Sequence, residues 1–359
     1  MKRYFITTIL PESLIAKHQL SFAACNFSKN LISGNGFDEV YSILPLFVNG
    51  QINNINETSF KLIYNHKLRT YGRLGRLFAC LIEQWNIFRH IDNGSSVWLY
   101  NLTTLNAFLF IMLSLFKRTV KINVIVLDFT PEQKKCSLNN LYLRLINRAN
   151  GRIALSYSDL FNKKNLDILP GVVPLTVSRL PELENIKPKF LLSGALNEVI
   201  SQTNMVLKAF SQLPHCELYI TGTITDDTLI KEYAERYTNI HYLRQVPFSE
   251  YLELLHTISY QLSTRDIKFP ENQCNFPSKI IEALLHNRII ISTINYPQLD
   301  GIKYFDLSSK TTSFKESINK IVQLSQSELL GYANQADIVF QKFNVTVWNE
   351  MMARIEKKS

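Results

Sequence analysis

The sequence predicts an α/β fold with two doubly wound domains, each built on a parallel sheet. Short apolar runs alternate with helical stretches throughout the 359 residues, and this alternation is typical of parallel sheets that carry helices on both faces. A chain of this length commonly contains two domains. Apolar residues make up 46% of the chain and charged residues 19%, so the composition favours hydrophobic cores and excludes a disordered protein.

The first half contains four apolar runs that we predict to be strands, separated by helices. The strands are predicted at residues 4–10, 97–102, 122–127 and 152–156, and the helices at 12–33, 70–91, 103–118 and 137–149. The first run imitates a secretion signal, but threonines and Pro11 interrupt it, so we interpret it as a buried strand. The apolar run at 105–116 is shorter than the ~20 residues that span a bilayer, and we interpret it as a buried helix.

The second half repeats the same pattern. Strands are predicted at residues 189–193, 217–221, 240–244, 259–263 and 289–293, and helices at 201–212, 226–237, 249–257, 277–287, 312–322 and 345–357. Between the halves, residues 170–174 combine two prolines with a glycine, and residues 179–189 are polar with two more prolines, as is typical of a linker. We therefore predict an N-terminal domain at 1–175 and a C-terminal domain at 176–340.

The positive charge of the chain is concentrated in its first half. Residues 1–170 hold 20 lysines and arginines against 10 acidic residues, whereas residues 171–359 hold 19 against 20. This division favours an anionic partner, either an anionic membrane surface or a lipid-diphosphate acceptor, but a diffuse bias of a solvated surface explains it as well. The basic residues are not interleaved with aromatic residues as in nucleic-acid-binding modules, so we expect no nucleic-acid partner.

The cysteines form neither a metal site nor a disulfide framework. The five cysteines lie at positions 25, 80, 136, 216 and 274, and none belongs to a C-x-x-C pair. For a protein without such a pattern, the reducing cytosol is the default compartment. The sequence therefore predicts a cytoplasmic location.

The segment at residues 274–293 predicts an anion site. It is interpreted as a loop, a short helix and a buried strand, with Ser278 as the residue that caps the helix. The N–H groups of a first helical turn attract anions, and Lys279 adds a positive charge there. Glu282 lies one turn further and can point into the same space. Such a site suits a nucleoside diphosphate, whose phosphates contact the amides and the lysine while the carboxylate takes ribose hydroxyls.

The same segment resembles the donor site of the GT-B glycosyltransferases, specifically the large retaining family four that builds bacterial surface polysaccharides. The resemblance is carried by Arg265-Asp266, by F-P-S-K at 276–279, by E-A-L at 282–284 and by I-S-T at 291–293. It implies two Rossmann-like domains that face each other across a cleft, with residues 341–359 packed back on the N-terminal domain. It also implies a UDP- or GDP-linked sugar as donor, a saccharide or lipid-linked acceptor, retention of configuration, and no metal or other cofactor.

The resemblance also assigns donor-binding roles to residues at the carboxyl ends of strands. Gly194 corresponds to a glycine near the donor phosphates, Arg265 and Lys279 to groups that contact them, and Val246 to a main-chain contact with the nucleobase. The alternative for Gly194 is a tight turn only, and for Arg265 a surface contact with Asp266.

The chain departs from this family at three places. The basic pair that usually follows the glycine is missing, because residues 198–204 contain no lysine or arginine. Cys274 stands where relatives carry a glutamate near the donor sugar, which puts the contacts to sugar hydroxyls in doubt. Asn287 replaces a glycine after the helix, a conservative change because asparagine adopts the left-handed conformation best after glycine.

Asp128 is the candidate catalytic residue of the first half. It follows the predicted strand at 122–127, and ligands of open α/β sheets bind outside the carboxyl ends of the strands. A carboxylate there is placed to orient or deprotonate an acceptor hydroxyl. The alternative is a structural role in the turn before Pro131, and the sequence leaves both open.

The sequence thus favours a nucleotide-sugar-dependent glycosyltransferase of surface polysaccharide assembly, held in the cytoplasm or at the inner face of the membrane. The alternative is a catalytically silent GT-B module that binds sugar nucleotide or acts as a scaffold. Cys274 and the missing basic pair favour this alternative modestly. Nothing in the donor segment favours a GT-B epimerase or phosphorylase.

Overall fold

The computed structural model describes residues 1–15, 17–52, 58–131, 137–309 and 312–358. The chain divides into two compact units. The N-terminal unit comprises Met1–Val177 together with Phe343–Ser359, and the C-terminal unit comprises Ser178–Lys342. Each unit has its own sheet and its own hydrophobic core.

The N-terminal unit is a seven-stranded parallel sheet flanked by helices. Its strands are β1 Arg3–Thr7, β2 Glu39–Ile43, β3 Lys61–Ile63, β4 Ser96–Tyr100, β5 Lys121–Val126, β6 Gly151–Ala154 and β7 Leu166–Ile168. Its helices are α1 Glu12–Ile15, α2 Phe22–Ile32, α3 His66–Arg69, α4 Gly72–His90, α5 Ala107–Phe116 and α6 Leu138–Arg148. The chain returns to this unit at its far end, with the helix that is numbered α15 below.

The C-terminal unit is a six-stranded parallel sheet. Its strands are β8 Lys189–Ala195, β9 Glu217–Thr223, β10 Ile240–Tyr242, β11 Tyr260–Ser263, β12 Ile289–Ser292 and β13 Phe305–Asp306. The helices that follow residue 177 are α7 Thr203–Phe210, α8 Thr228–Arg236, α9 Phe248–Thr257, α10 Pro270–Cys274, α11 Ser278–Leu285, α12 Phe314–Val322, α13 Gln326–Leu330, α14 Ala336–Phe343 and α15 Val345–Lys358.

Both sheets reverse their strand order at the middle. The N-terminal order is β3-β2-β1-β4-β5-β6-β7, and the C-terminal order is β10-β9-β8-β11-β12-β13. The two doubly wound sheets confirm the predicted Rossmann-like architecture. Ligands of such sheets bind outside the carboxyl ends of the two strands that flank the reversal. The fold therefore selects two places, the ends of β1 and β4 and the ends of β8 and β11.

The central strands are buried on both faces, which explains why they could be predicted from apolar runs. In register, Phe5 pairs with Val40 on one side and with Trp98 on the other, and all three side chains are buried. In the second sheet Leu262 pairs with Leu192 and with Ile291. Strands buried on both faces consist of nearly continuous apolar residues.

The prediction missed β2 and the edge strands β3, β7 and β13, whereas the edge strand β10 was predicted. β3, β7 and β13 contain two or three residues each, and β2 has mixed polarity. The predicted helix at 12–33 is two helices, because Gln19 adopts a left-handed conformation with φ 55°. The prediction of a buried helix at 103–118 is wrong for the last turn of α5, where Leu115 and Phe116 are exposed.

A buried ion pair fixes the loop after β2 to helices α3 and α4. Arg69 and Glu83 form two hydrogen bonds of 3.0 and 2.6 Å, and their side chains are 0% and 1% exposed. Arg69 also donates to the backbone carbonyls of Leu44, Pro45 and Val48. The two side chains thus satisfy each other and the loop, as buried charges require.

The Glu356 carboxylate of helix α15 binds two strands of the N-terminal sheet. Glu356 accepts hydrogen bonds from Arg3, from the Ser96 hydroxyl and from Trp98 Nε1 at 2.6 to 2.8 Å. Burial opposes the ionised form of Glu356, but these hydrogen bonds outweigh it, so the pKa of Glu356 is lowered.

No helix in the described part of the chain is long and apolar enough to cross a bilayer.

Candidate functional site

The reversal point of the C-terminal sheet is lined by main chain rather than by large side chains. Gly194, at the end of β8, has φ +105°, a conformation that L-residues rarely adopt. Gly222, at the end of β9, has φ +149°, and a Cβ atom added there would lie 1.8 Å from the carbonyl oxygen of Gly194. Two glycines in contact therefore open a space at the carboxyl ends of β8 and β9.

Lys279 reaches this space from the first turn of α11. Its Nζ donates a 2.6 Å hydrogen bond to the carbonyl oxygen of Ser193. Burial, and then the positive charge of Arg265, lower the pKa of Lys279 to about 7. Among the described residues no carboxylate forms an ion pair with Lys279. The site therefore contains a lysine whose charge is opposed by its surroundings and would be favoured by an anion.

Arg265 is brought beside Lys279 by the loop after β11. Its Nη1 donates to Asn272 Oδ1 at 3.3 Å, and its carbonyl accepts from the Thr293 hydroxyl at 2.7 Å. The residue is half-buried. The structure thus brings together Gly194, Arg265 and Lys279, three of the donor-site residues that the sequence singled out.

The prediction that Ser278 caps helix α11 is wrong. Pro277 occupies the capping position with an extended backbone, and Ser278 is the first helical residue with an exposed side chain. Proline cannot donate a backbone hydrogen bond, so the chain enters the helix one residue earlier than the serine pattern indicates. Asn287, at the other end, has φ 64°, which confirms its expected left-handed conformation.

Glu282 lies in α11, three residues after Lys279. Its neighbour is Tyr251 of α9, and burial raises the pKa of the Glu282 carboxyl to about 7. The Tyr251 hydroxyl is buried close to Ser193 and Glu282. Burial and the Glu282 charge raise the pKa of Tyr251 well above its usual range.

A cleft of about 480 Å³ continues from Gly222 along the ends of β9 and β10. Its lining includes Asp226, Asp227, Lys231, Tyr242 and Arg244. Asp226 accepts from Thr228 and Asp227 pairs with Lys231, so both acids are engaged at the start of α8. The half-buried Val246 follows the cleft residue Gln245 in the chain, and no described contact joins it to Lys279 or Glu282.

The reversal point of the N-terminal sheet has a smaller cavity of about 80 Å³ between the ends of β1 and β4. Thr8 and Asn101 line it. Asn101 has φ 47°, and its Oδ1 accepts a 2.7 Å bond from Leu127 N, which ties the end of β4 to the end of β5. Asp128 follows at this edge with an exposed side chain, and its charge adds to burial in raising the pKa of the cavity residue Tyr100.

Sequence reasoning missed three residues of these sites. Ser193 offers a carbonyl, Tyr251 lies on a helix distant in sequence, and Asn101 orders a strand end. Asn101 could have been found, since it is a polar residue near the carboxyl end of the strand predicted at 97–102. The other two carry no local pattern.

No protein-family model matches this chain, and no curated protein is detectably similar to it in sequence. Solved structures are nevertheless similar to it over its whole length. The trehalose-6-phosphate phosphatase N-terminal domain of Candida albicans is 11% identical, with a TM-score of 0.66 over 100% of this chain and 97% of that chain. A trehalose-6-phosphate protein of E. coli bound with UDP-2-fluoro glucose is 10% identical, with a TM-score of 0.66 over 99% of both chains.

AviGT4, a glycosyltransferase involved in avilamycin A biosynthesis, is 12% identical, with a TM-score of 0.59 over 100% of this chain and 97% of that chain. Two doubly wound parallel sheets in one chain, matched from end to end by such structures, decide the architecture. The fold is GT-B. At these identities the likeness concerns the fold alone, and the finer assignment to the retaining family four stays a prediction.

The structure shows where the described cysteines lie. Cys274, which stands where the family-four pattern has a glutamate, ends α10 and is buried at 5% exposure. Cys25, Cys80 and Cys216 are also buried, whereas Cys136 lies outside the described residues. In the described ranges no group of three histidine, cysteine or acidic side chains is arranged to hold a metal ion.

Proposed function

We propose that this GT-B protein is a glycosyltransferase that takes a sugar from a UDP- or GDP-linked donor held by the C-terminal unit. The observation that carries the proposal is Lys279, half-buried beside Arg265 at the end of β8 and without a carboxylate partner in the described chain. Two cations with an open glycine turn at a reversal point suit a diphosphate. The E. coli structure with UDP-2-fluoro glucose supports this choice of ligand through the shared fold.

In the proposed reaction the bond between the anomeric carbon and the diphosphate oxygen breaks. Lys279 and Arg265 stabilise the negative charge that develops on the departing diphosphate, and this kind of electrostatic stabilisation supplies a large part of catalysis. A hydroxyl of the acceptor forms the new bond to the anomeric carbon, and Asp128 takes its proton. Glu282 and Tyr251 bind hydroxyls of the donor. We propose retention of configuration and no metal requirement.

The donor is tested by thermal unfolding with UDP, GDP, ADP and their sugars. A ligand that binds only the folded state raises apparent stability, by about 2.7 kcal/mol at a hundredfold excess over its dissociation constant. We expect a shift with UDP or GDP compounds and a smaller one with ADP compounds. Absence of any shift at millimolar ligand would remove the donor assignment.

Replacing Lys279 by methionine is expected to separate binding from folding. Loss of a charge-assisted hydrogen bond should weaken nucleoside diphosphate binding about ten- to hundredfold. The free variant should unfold at the same or a higher temperature, because folding no longer has to bury an ammonium group. Lys208→Met, at an exposed position of α7, is the matched control. A lower melting temperature with unchanged nucleotide affinity would mean that Lys279 is structural.

Nucleotide binding is expected to take up protons above neutral pH. In the free protein the pKa of Lys279 is about 7 instead of 10.5, so the amine is largely neutral at pH 8.5. A bound diphosphate favours the charged amine and raises its pKa, so affinity falls as pH rises above about 7. Calorimetry in buffers of different ionisation enthalpy measures the protons taken up. The uptake should disappear in Lys279→Met, and an equal uptake in both proteins would assign it to another group.

Cys274 favours one second candidate, a GT-B module that binds sugar nucleotide without transferring the sugar. Its buried thiol cannot replace a carboxylate that contacts the donor sugar. Both candidates bind the nucleotide, so the thermal measurement does not separate them. Release of nucleoside diphosphate from the sugar nucleotide in the presence of acceptor does, because only the transferase turns over.

For the acceptor we propose a saccharide or lipid-linked saccharide of surface polysaccharide assembly, used at the inner face of the membrane. The charge division supports this setting, since residues 1–170 carry 20 basic against 10 acidic residues. A positively charged unit is attracted to anionic lipid headgroups and to lipid diphosphates alike. Vesicles with and without a lipid-diphosphate saccharide, supplied with labelled donor, distinguish an acceptor role from simple attraction.

A further inference from the structure

Helix α4 has the reverse of the usual polarity. Its exposed side carries an apolar stripe with the spacing of one helical face, made up of Leu74, Leu77, Phe78, Ile82 and Trp85. Leu74 is 72% exposed, Phe78 61% and Trp85 46%. Surface helices of globular proteins normally face the solvent with polar residues. This stripe therefore needs an explanation outside the packing of the unit.

The buried side of α4 contains two polar residues, Glu83 and Gln84, among Ala79, Cys80 and Ile87, and both polar side chains form hydrogen bonds. Glu83 forms the ion pair with Arg69. Gln84 donates to the Thr104 carbonyl at 3.1 Å, and its Oε1 accepts from Leu109 N at 2.9 Å, which caps the start of α5. The hydrogen bonds of Glu83 and Gln84 therefore fix this orientation of α4. Rotating the helix to bury the apolar stripe would break the hydrogen bonds of Glu83 and Gln84.

The apolar stripe continues onto α5. Trp85 stacks on Phe88 with a centroid distance of 5.4 Å, and Phe88 contacts the edge of Phe116 at 6.4 Å. Phe116 is 71% exposed, and Leu115 beside it is also exposed. We name the combined surface of Leu74, Leu77, Phe78, Ile82, Trp85, Leu115 and Phe116 the α4–α5 face.

The charges around the α4–α5 face are positive. Lysines and arginines of this stretch are Lys67, Arg73, Arg76, Arg89, Lys117 and Arg118, besides the paired Arg69. Between residues 66 and 120 the only acidic residues are Glu83 and Asp92. Glu83 is buried in its ion pair, and Asp92 accepts hydrogen bonds from Lys2 and Tyr4. An exposed apolar face in a stretch rich in basic residues has the chemistry of a helix that lies in a bilayer surface.

We propose that the α4–α5 face inserts into the headgroup region of an anionic bilayer. Phe78, Trp85 and Phe116 enter the boundary between headgroups and acyl chains, while arginines such as Arg73 and Arg89 contact lipid phosphates. The inference rests on the proposed function in so far as a lipid-linked acceptor requires the enzyme at a membrane. It goes beyond general charge attraction, because it assigns the contact to named apolar side chains.

Trp85 is a built-in reporter for this contact. The chain contains three tryptophans, and Trp98 and Trp348 are both 0% exposed. A change of tryptophan fluorescence on addition of vesicles therefore reports on Trp85. We expect a blue shift with phosphatidylglycerol vesicles, a weaker one with phosphatidylcholine, and quenching by lipids brominated near the headgroup. Binding without a blue shift or quenching would overturn insertion and leave only attraction between charges.

The double variant Leu74→Ser/Phe78→Ser tests the face itself. Loss of two apolar side chains that would be buried in the bilayer should weaken partition into anionic vesicles at least about tenfold. The control is Leu229→Ser/Ile338→Ser, which removes two exposed apolar residues from the C-terminal unit and should bind vesicles normally. Equal vesicle binding by both double variants would overturn the proposal.

Two further measurements separate the possible failures. Light scattering of the vesicle-free protein detects self-association. A dimer of the wild type that the Leu74/Phe78 variant abolishes would assign the face to a second copy and overturn the bilayer proposal. Both double variants should keep the thermal shift with nucleotide. If vesicle binding holds while every nucleotide shift is absent, the donor assignment fails and the membrane surface stands.

Discussion

Replacing Glu83 by glutamine is expected to lower the free energy of unfolding of the N-terminal unit by about 3–5 kcal/mol, because breaking a buried ion pair leaves an uncompensated charge. Arg69, 0% exposed, would keep its charge and lose its only carboxylate in the described chain. The three loop carbonyls that it holds would lose their fixed donor. For a unit of this size the loss corresponds to a melting temperature roughly 10 °C lower.

Tryptophan fluorescence is the appropriate measurement, because Trp85, Trp98 and Trp348 all lie in the N-terminal unit. Unfolding in urea is the measurement, and Glu12→Gln is the control. Glu12 is exposed, and its ion pair with Lys29 is weak because the two charged atoms are 3.8 Å apart. The double variant Arg69→Met/Glu83→Leu removes both charges but leaves the three loop carbonyls without their donor, so it should recover only part of the stability. A loss below about 1 kcal/mol in Glu83→Gln would place the pair among ordinary surface salt bridges.

Replacing Asp128 by asparagine is expected to slow sugar transfer about 10²- to 10⁴-fold, which is the usual contribution of a general base. Nucleotide binding should be unchanged, because Asp128 belongs to the N-terminal sheet and the donor residues belong to the other unit. The residue follows β5 with an exposed side chain, next to the strand end that Asn101 orders. Steady-state kinetics should show the loss in kcat rather than in KM for the donor.

Asparagine is the informative replacement, because it caps a turn about as well as aspartate. If Asp128 only supports the turn before Pro131, the variant will transfer sugar at a near-normal rate and the catalytic assignment fails. Asp159→Asn, at a side chain that is 98% exposed, is the control for removal of a surface charge. Equal activity of both variants would mean that another group takes the proton.

Most strands with two neighbours could be predicted, whereas β2 and the edge strands β3, β7 and β13 could not, and the edge strand β10 was predicted. β4, β5, β8 and β12 are buried on both faces, so burial alone requires the apolar runs that reveal them. β3 and β13 owe their existence to one neighbouring strand and carry no such run. The break at Gln19 was hidden because left-handed glutamine has no sequence pattern.

The donor site could be predicted where its residues are close in sequence or end a strand. Lys279 and Gly194 were found in this way, and the structure places them about 4 Å apart, as measured from a Cβ added to Gly194. The partner of Glu282 could not be found, because Tyr251 lies on a helix that only the fold brings near. The prediction that Ser278 caps α11 was wrong for a local reason, because Pro277, with its extended backbone, occupies the capping position.

Glu356 also has a consequence for the order in which the protein is made. Its carboxylate satisfies Arg3, Ser96 and Trp98, which belong to the first hundred residues. During synthesis the ribosome completes the C-terminal unit, Ser178–Lys342, before residue 356 emerges. The N-terminal unit is therefore begun first and completed last. Until residue 356 is available, the Ser96 hydroxyl and Trp98 Nε1 of β4 stay hydrated. A nascent chain stalled before α15 would present that unfinished surface to chaperones.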